Sequence, residues 1–332
     1  MRKGWFFLKR IAFRTMGGMD IGYGHLYRCI SLAKAIRKES SDYKIYFIVN
    51  EDIKNIVDSN GFEYIESNHF EKDYKIINDM CFDLVVFDSY RANDSYLSRI
   101  KNITKLMLFD DNNDIYNSSI PDIILNGNIH ANDLDYKTDS STQFLLGLNY
   151  LVMQEGYWDD ESTDTIVKRG ILVTTGGSDT YNVSPKILKE LVKTEFDVTV
   201  IVGPGYSDET INELNKIKNC TTKIILRPNG LKNYIKCSEY VISASGSTVY
   251  ETLSQKSIPI IFSLVDNQEI AYEYFKGFGV YSIGKYPDIN FKGINRILNK
   301  PTKIHMNELY EKIDGKGALR VAQQIIRFLS DT

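Results

Sequence analysis

Gly22-Tyr23-Gly24-His25 sets an imidazole directly behind a glycine pair and at the start of a long amphipathic stretch. The first N–H groups of a helix have no intrahelical partner and lie at the positive end of its dipole, so the position suits an anion or a polarised water. A neutral imidazole there can accept a proton from water as a general base; it can equally cap the helix or pack. The dinucleotide fingerprint is a poor fit, because its third glycine would fall where Tyr27 stands.

Four further segments carry suitable side chains. "VVFDSYRAND" ends a strand with Asp88 and Tyr90, and Asp88 there either orients the imidazole or caps a helix. In "TTGGSDTYN" (174–182), Gly176, Gly177 and Ser178 let backbone N–H groups approach a phosphate, the alternative being a tight turn. In "SASGSTVYETL" (243–253), Gly246, Ser247 and Thr248 supply donors for a diphosphate and Glu251 an acceptor for both ribose hydroxyls. Thr248 and Glu251 also have the spacing of a capping box. "LVDNQEIAYEYF" (264–275) presents Asn267 and Gln268, carboxamides that donate and accept as sugar hydroxyls and acetamido groups require; Asn267 is also an ordinary N-cap type.

Positioning these residues requires βα units, and short β-rich runs do alternate with amphipathic stretches. The predicted strands of the first half are 10–14, 44–49, 83–88, 105–110 and 122–126. The predicted helix from His25 to Lys38 places Leu26, Cys29, Ile30, Leu32, Ala33 and Ile36 on one face and ends on a basic pair. The polar stretch 155–168 reads as a linker. Beyond it strands are expected at 170–175, 197–203, 223–227, 240–243 and 259–263, with helices near 184–195, 207–218, 230–237, 247–255 and 267–277. The expected organisation is a first Rossmann-like domain over 1–158, a second over 165–315, and a helix at 316–332 that packs back on the first. Ligands of open parallel sheets bind beyond the carboxyl ends of the strands, so the expected site faces the cleft between the domains.

Composition narrows the partner. The 332 residues suit two cores, and 40 basic against 43 acidic residues give a net charge of −3 with no like-charge run. Nucleic acid and stable membrane insertion are therefore not expected, and a small molecule is. The apolar run Trp5 to Leu8 is shorter than the ~7–15 residues of a signal-peptide core. Four cysteines without CxxC or histidine spacing suit a reducing cytoplasm and indicate neither disulfides nor a metal site.

In order along the chain, "FRTMGGMDIGYGHLYRCISLA", "VVFDSY", "LFDD", "TTGGSD", "SASGSTVYETL", "DNQE" and "IDGKGALRVA" resemble the nucleotide-sugar hydrolase of pseudaminic acid biosynthesis and its spore-coat polysaccharide relatives. The resemblance spans about 14 to 322. The second half also resembles the donor domain of the lipid-linked N-acetylglucosaminyltransferase of cell-wall synthesis. These resemblances imply an α/β fold of two Rossmann-like domains of the glycosyltransferase GT-B type, in which water replaces the sugar acceptor. They imply His25 and Tyr90 as the catalytic residues, His25 being the base, with Asn267 at the asparagine of the NQE motif and Glu251 on the ribose. Arg14 and Gly22 and Gly24 fall on family motif positions. No cofactor or metal is implied.

The implied reaction is hydrolysis of a UDP-activated 2,4-diacetamido-2,4,6-trideoxy sugar to UDP and free sugar, with pathway enzymes as possible partners. Two positions depart from the family pattern: Met16 replaces the acid of an Arg-x-Asp pair, unless Asp20 supplies one, and Gln154 replaces an arginine. A sugar different from the usual one is expected in consequence. The rival readings are a glycosyltransferase using a UDP-sugar donor and a non-catalytic nucleotide-sugar-binding protein. A nicotinamide dehydrogenase is disfavoured by Tyr27.

Overall fold

A computed structural model describes residues 8–18, 20–137, 141–159, 167–300 and 306–331. The apolar run at 5–7 and the 160–166 part of the expected linker lie outside the described residues. The chain divides into two compact units after Asp159 and again before Gly315, the C-terminal segment returning to the first unit.

In unit 1 the order is β1 (Lys9–Thr15), α1 (Gly24–Glu39), β2 (Tyr43–Val49), α2 (Lys54–Ser59), β3 (Glu63–Glu66), α3 (Phe70–Met80), β4 (Leu84–Asp88), α4 (Asp94–Lys101), β5 (Lys105–Phe109), β6 (Ile123–Asn126) and β7 (Gln143–Leu146). The strands form a parallel sheet of order β3-β2-β1-β4-β5-β6-β7. Side chains alternate across a strand, and the core divides accordingly. Ile11 and Phe13 join the cluster under α1, while Ala12 joins the opposite one with Leu97 and Ile100 of α4. Both faces are covered, which is why β1, β2, β4 and β5 read as continuous apolar runs.

Unit 2 contains β8 (Ile171–Thr174), α5 (Val183–Leu191), β9 (Val198–Val202), α6 (Asp208–Ile217), β10 (Thr222–Leu226), α7 (Lys232–Cys237), β11 (Tyr240–Ala244), α8 (Ser247–Ser254), β12 (Ile258–Ser263), α9 (Glu269–Gly277), β13 (Tyr281–Lys285), α10 (Gly293–Asn299) and α11 (Asn307–Lys312). Its parallel sheet has the order β10-β9-β8-β11-β12-β13. The last helix, α12 (Gly317–Ser330), belongs to unit 1, where Val321, Ala322, Ile325 and Leu329 share a buried cluster with Leu26, Ile30 and Ile36 of α1. Among the described residues no helix is long and apolar enough to cross a membrane.

Each sheet reverses its strand order once, between β1 and β4 in unit 1 and between β8 and β11 in unit 2. Such switch points leave a crevice at the carboxyl ends of the strands, because the two flanking connections depart to opposite faces. Asp88 ends β4, and the segments carrying His25, Gly176 and Gly246 follow β1, β8 and β11.

Candidate active site

Backbone constraints deliver His25. Gly22 lies at φ 84°, a left-handed conformation that suits glycine, and its N–H donates to Gly18 O at 2.7 Å, closing a small loop after β1. A Cβ on Gly24 would meet nothing within 4 Å. Helix α1 begins at Gly24, one residue earlier than expected, with neither a side-chain cap nor an acid in its first turn.

β4 aligns with β1 so that Asp88 pairs with Thr15, which brings the Asp88 carboxylate under α1. His25 Nδ1 lies 2.6 Å from Asp88 Oδ1. Arg28, three residues along the same helix face, donates from Nε to Asp88 Oδ2 at 2.6 Å and from Nη2 to Oδ1 at 2.6 Å. Arg28 Nη2 also lies 3.1 Å from His25 Nδ1. A carboxylate oxygen only accepts, so the 2.6 Å contact with Asp88 suits the tautomer in which Nδ1 is the donor. In that tautomer Nε2 is the ring nitrogen able to accept, on a side chain 14% exposed. Asp88 thus orients the imidazole; the cap of α4 is Asn93, whose side chain accepts from Tyr96 N–H.

The network continues to Asp111, just beyond β5. Arg28 Nη1 bridges both its oxygens at 2.9 and 3.0 Å, Asn128 Nδ2 donates to it at 2.9 Å, and the Tyr90 hydroxyl donates to Oδ2. Tyr90 meets the His25 ring edge-on, 4.7 Å between centroids. His130 Nε2 lies 3.0 Å from Asp111 O, and burial lowers the pKa of His130, favouring its neutral form. Burial works against ionisation of Asp88 and Asp111, but the Arg28 charge and its hydrogen bonds outweigh it and hold both carboxyls below the usual range. Burial also opposes the Arg28 charge, yet Asp111 and Asp88 together raise its pKa. Burial and then the Asp111 charge push the Tyr90 phenol up, so Tyr90 is a donor and not a base. Burial and then Asp88 likewise raise the Cys29 thiol. Arg28, Asp111 and Asn128 were assigned no role from sequence. The i, i+3 spacing of Arg28 from His25 and the paired acids of "LFDD" were the available signals.

Arg14, expected among the substrate contacts, is instead an interior residue. Its side chain is 0% exposed, its Nε lies 2.6 Å from Asp73 of α3, and its guanidinium stacks 4.8 Å from the Phe70 ring centroid. The pleat of β1 turns it away from solvent into an ion pair. Met16 lines a recess at the end of β1, whereas Gln154 is an exposed residue preceding a 3-10 turn and is not on that recess.

In unit 2, Gly176, Gly177 and Ser178 are exposed after β8, with Gly176 at φ 95°. This loop rests on Gly203, where a Cβ would come within 2.4 Å of Gly176 O. The N-terminus of α5 is already occupied by the chain's own anion: Asp179 accepts from Val183 N and Ser184 N, both at 2.8 Å. The N-terminus of α8 has no side-chain cap, and Gly246 is its N-cap residue. Thr248 therefore lies inside the helix, and Thr248 with Glu251 forms no capping box. Ser247 at the first position is exposed, and the space before Gly246 is open. Asn267 is exposed within the 3-10 turn Asp266–Gln268 and caps nothing, while Gln268 Oε1 accepts from Leu264 N at 3.0 Å.

No family model matches this chain. An uncharacterized protein of Methanocaldococcus jannaschii, MJ1062, is 27% identical over 266 residues; the match covers 76% of this chain and only 55% of that protein, so the chain spans about half its length. The UDP-2,4-diacetamido-2,4,6-trideoxy-beta-L-altropyranose hydrolase of Campylobacter jejuni is 26% identical over 270 residues, covering 78% of this chain and 93% of its own. Among solved structures, Acinetobacter baumannii MurG superposes with TM-score 0.66 at 10% identity, covering 98% of this chain and 100% of its own. Arabidopsis thaliana UGT89C1 complexed with UDP-L-rhamnose gives 0.67 at 9% identity over 96% and 98%. The spinosyn forosaminyltransferase SpnP gives 0.68 at 9% identity over 97% and 99%. At these identities the likeness is one of fold: two parallel α/β Rossmann-like domains of the GT-B glycosyltransferase type, the class read from the sequence.

Proposed function

We propose that the protein hydrolyses a UDP-activated acylamino deoxy sugar, water attacking the anomeric carbon with His25 as general base. The observation that supports this reading is the Asp88–His25 contact of 2.6 Å, which suits a proton donated from Nδ1 to the carboxylate and so a base at Nε2. The similarity to the Campylobacter jejuni hydrolase supports the substrate class. Water gives its proton to Nε2 as its oxygen bonds to the anomeric carbon, and the bond to the diphosphate oxygen breaks with its electron pair. Attack opposite the leaving group inverts that carbon. The imidazolium formed is stabilised by Asp88. Charge on the departing diphosphate is met by the uncapped N-terminus of α8 and by the N–H groups around Gly177. Glu251 holds the ribose, and Tyr90, Asn267 and Ser178 complete the ligand contacts.

The test is UDP release from a panel of UDP-sugars, with and without sugar acceptors, for the wild type and His25→Gln. Release in water alone that falls ~10²–10⁴-fold in the variant, with UDP affinity retained, is the expected outcome. Release only when an acceptor is present would select a transferase, and binding without release a nucleotide-sugar-binding protein.

A further inference from the structure

Unit 1 contains a recess of about 490 Å³ lined by Met16, Gly18, Tyr23, Asn50, Asp52 and Arg91 among others. Its volume falls within the ~300–1,000 Å³ of small-molecule pockets. Chain continuity places it near the candidate base: Tyr23 stands two residues before His25, and Arg91 directly follows Tyr90, which packs on the His25 ring. The floor is rigidly built. Asn50 accepts from Gly17 N at 3.0 Å, returns a bond to Gly17 O at 2.8 Å and donates to Asp52 Oδ2 at 3.0 Å, which uses its whole carboxamide in bracing the loop. Gly18, at φ 138°, leaves the room beside Asp52 that a Cβ 3.0 Å from its Oδ2 would take.

The wall charges decide what fits. Asp20 and Asp52 also line the recess, and among the described residues neither meets a cation and the Arg91 guanidinium meets no carboxylate. Two carboxylates against one guanidinium leave the wall with one net negative charge, which disfavours a diphosphate as the occupant. A carboxylate only accepts and a guanidinium only donates. An amide matches both, because its N–H and C=O point in opposite directions from one rigid plane and can engage two separate residues.

We propose that this recess receives the glycosyl part of the substrate and selects an uncharged sugar carrying an acylamino group, Asp52 accepting from the amide N–H and Arg91 donating to its carbonyl. The assignment rests on the nucleotide-sugar reading above. It goes further in naming the residues that discriminate among sugars.

Calorimetric titration of the full chain, in a His25→Gln background to prevent turnover, tests it with UDP, a UDP-N-acetylhexosamine, a UDP-hexose and a UDP-hexuronate. The N-acetylated compound binds about tenfold or more tightly than the hexose, the scale of a charge-assisted hydrogen bond, and the hexuronate binds most weakly. Asp52→Asn and Arg91→Gln each reduce the N-acetyl preference to within about twofold without altering UDP affinity. Both side chains lie at the surface, so thermal melts stay in place. An N-acetyl preference that survives both substitutions overturns the assignment, as does a glycosyl group that adds nothing to UDP binding. Absence of UDP binding itself overturns the nucleotide-sugar reading, and the recess assignment with it.

Discussion

Replacing Asp88 by asparagine keeps the shape of the side chain and removes its charge, and the surrounding geometry fixes the consequence. The carboxylate accepts from His25 Nδ1, Arg28 Nε and Arg28 Nη2, each at 2.6 Å. An amide supplies one acceptor and one donor in that place. With its NH2 toward Nδ1, it forces the imidazole to accept there and to carry its proton on Nε2, where it can no longer take one from water. With its NH2 toward Arg28 Nε, the tautomer survives but two donors oppose each other and the imidazolium loses its counter-charge. The first orientation predicts a fall in kcat of ~10⁴-fold, as for other tautomer-fixing carboxylates. The second still predicts ~10²-fold, the lower end of general-base contributions. Arg28 keeps Asp111, so the stability cost is about 1.5–3 kcal/mol, one charge-assisted interaction. The assay is UDP release under single-turnover conditions beside UDP titration and a thermal melt. A variant within threefold of the wild-type rate would refute the tautomer argument and return His25 to a packing role.

Arg14→Leu leaves Asp73 buried with only Ser67 and Tyr96 as partners, so it should lose ~3–5 kcal/mol in a denaturant titration while folded protein keeps wild-type UDP affinity; a selective loss of ligand binding would restore Arg14 to the site. Glu251→Ala should weaken UDP binding by about 1.5–3 kcal/mol, read by calorimetry, and an unchanged dissociation constant would remove Glu251 from the ribose. Asp88 and Asp111 both have depressed folded-state pKa values, so their stabilisation is fully present above the unfolded value near ~4 and is lost as pH falls through the folded values. Asp111→Asn should therefore be less stable than wild type at pH 7, and the gap should narrow in melts taken below pH ~4; a constant gap across that range would show that the Asp111 charge contributes nothing.

What could be read from the sequence was whatever local periodicity determines. Leu26, Cys29, Ile30, Leu32, Ala33 and Ile36 are all buried on α1, and the basic pair Arg37-Lys38 does close it. The strands β3, β7 and β13 are sheet edges with a weak sequence signal: in β3 Ile65 is flanked by exposed Tyr64 and Glu66, and β7 is only the four residues Gln143–Leu146. A capping box at Thr248 and Glu251 depends on the helix starting at Thr248, and a start one turn-fraction earlier at Ser247 after Gly246 abolishes it. Arg28 is hardest of all to assign from sequence, since its partners Asp88 and Asp111 stand 60 and 83 residues away and meet it only because β4 lies beside β1 and β5 beside β4 in the sheet. Arg14 erred in the other direction. A strand-end arginine reads as a ligand contact, and only the pleat and the position of Asp73 on α3 show that it points inward.

The charge count of the network bears on whether it is structural or catalytic. A buried ion pair that serves only to hold α1 on the sheet needs one carboxylate for one guanidinium, and such pairs are weak sources of stability once desolvation is counted. Here Arg28 meets two carboxylates, and both remain ionised because it lies between them. The assembly therefore carries one surplus negative charge while the imidazole is neutral. When His25 Nε2 takes a proton the surplus is cancelled, and the cancelling charge forms 2.6 Å from Asp88 with no group required to move. Preorganisation of this kind lowers the cost of charge that appears only during reaction. Tyr90 fits the same logic, because its phenol donates to Asp111 and stays protonated, which leaves Asp88 free to answer to the imidazole. The glycine pair before His25 is part of the same geometry: Gly22, at φ 84°, makes the turn that leads into α1, and a Cβ on Gly24 would meet nothing within 4 Å.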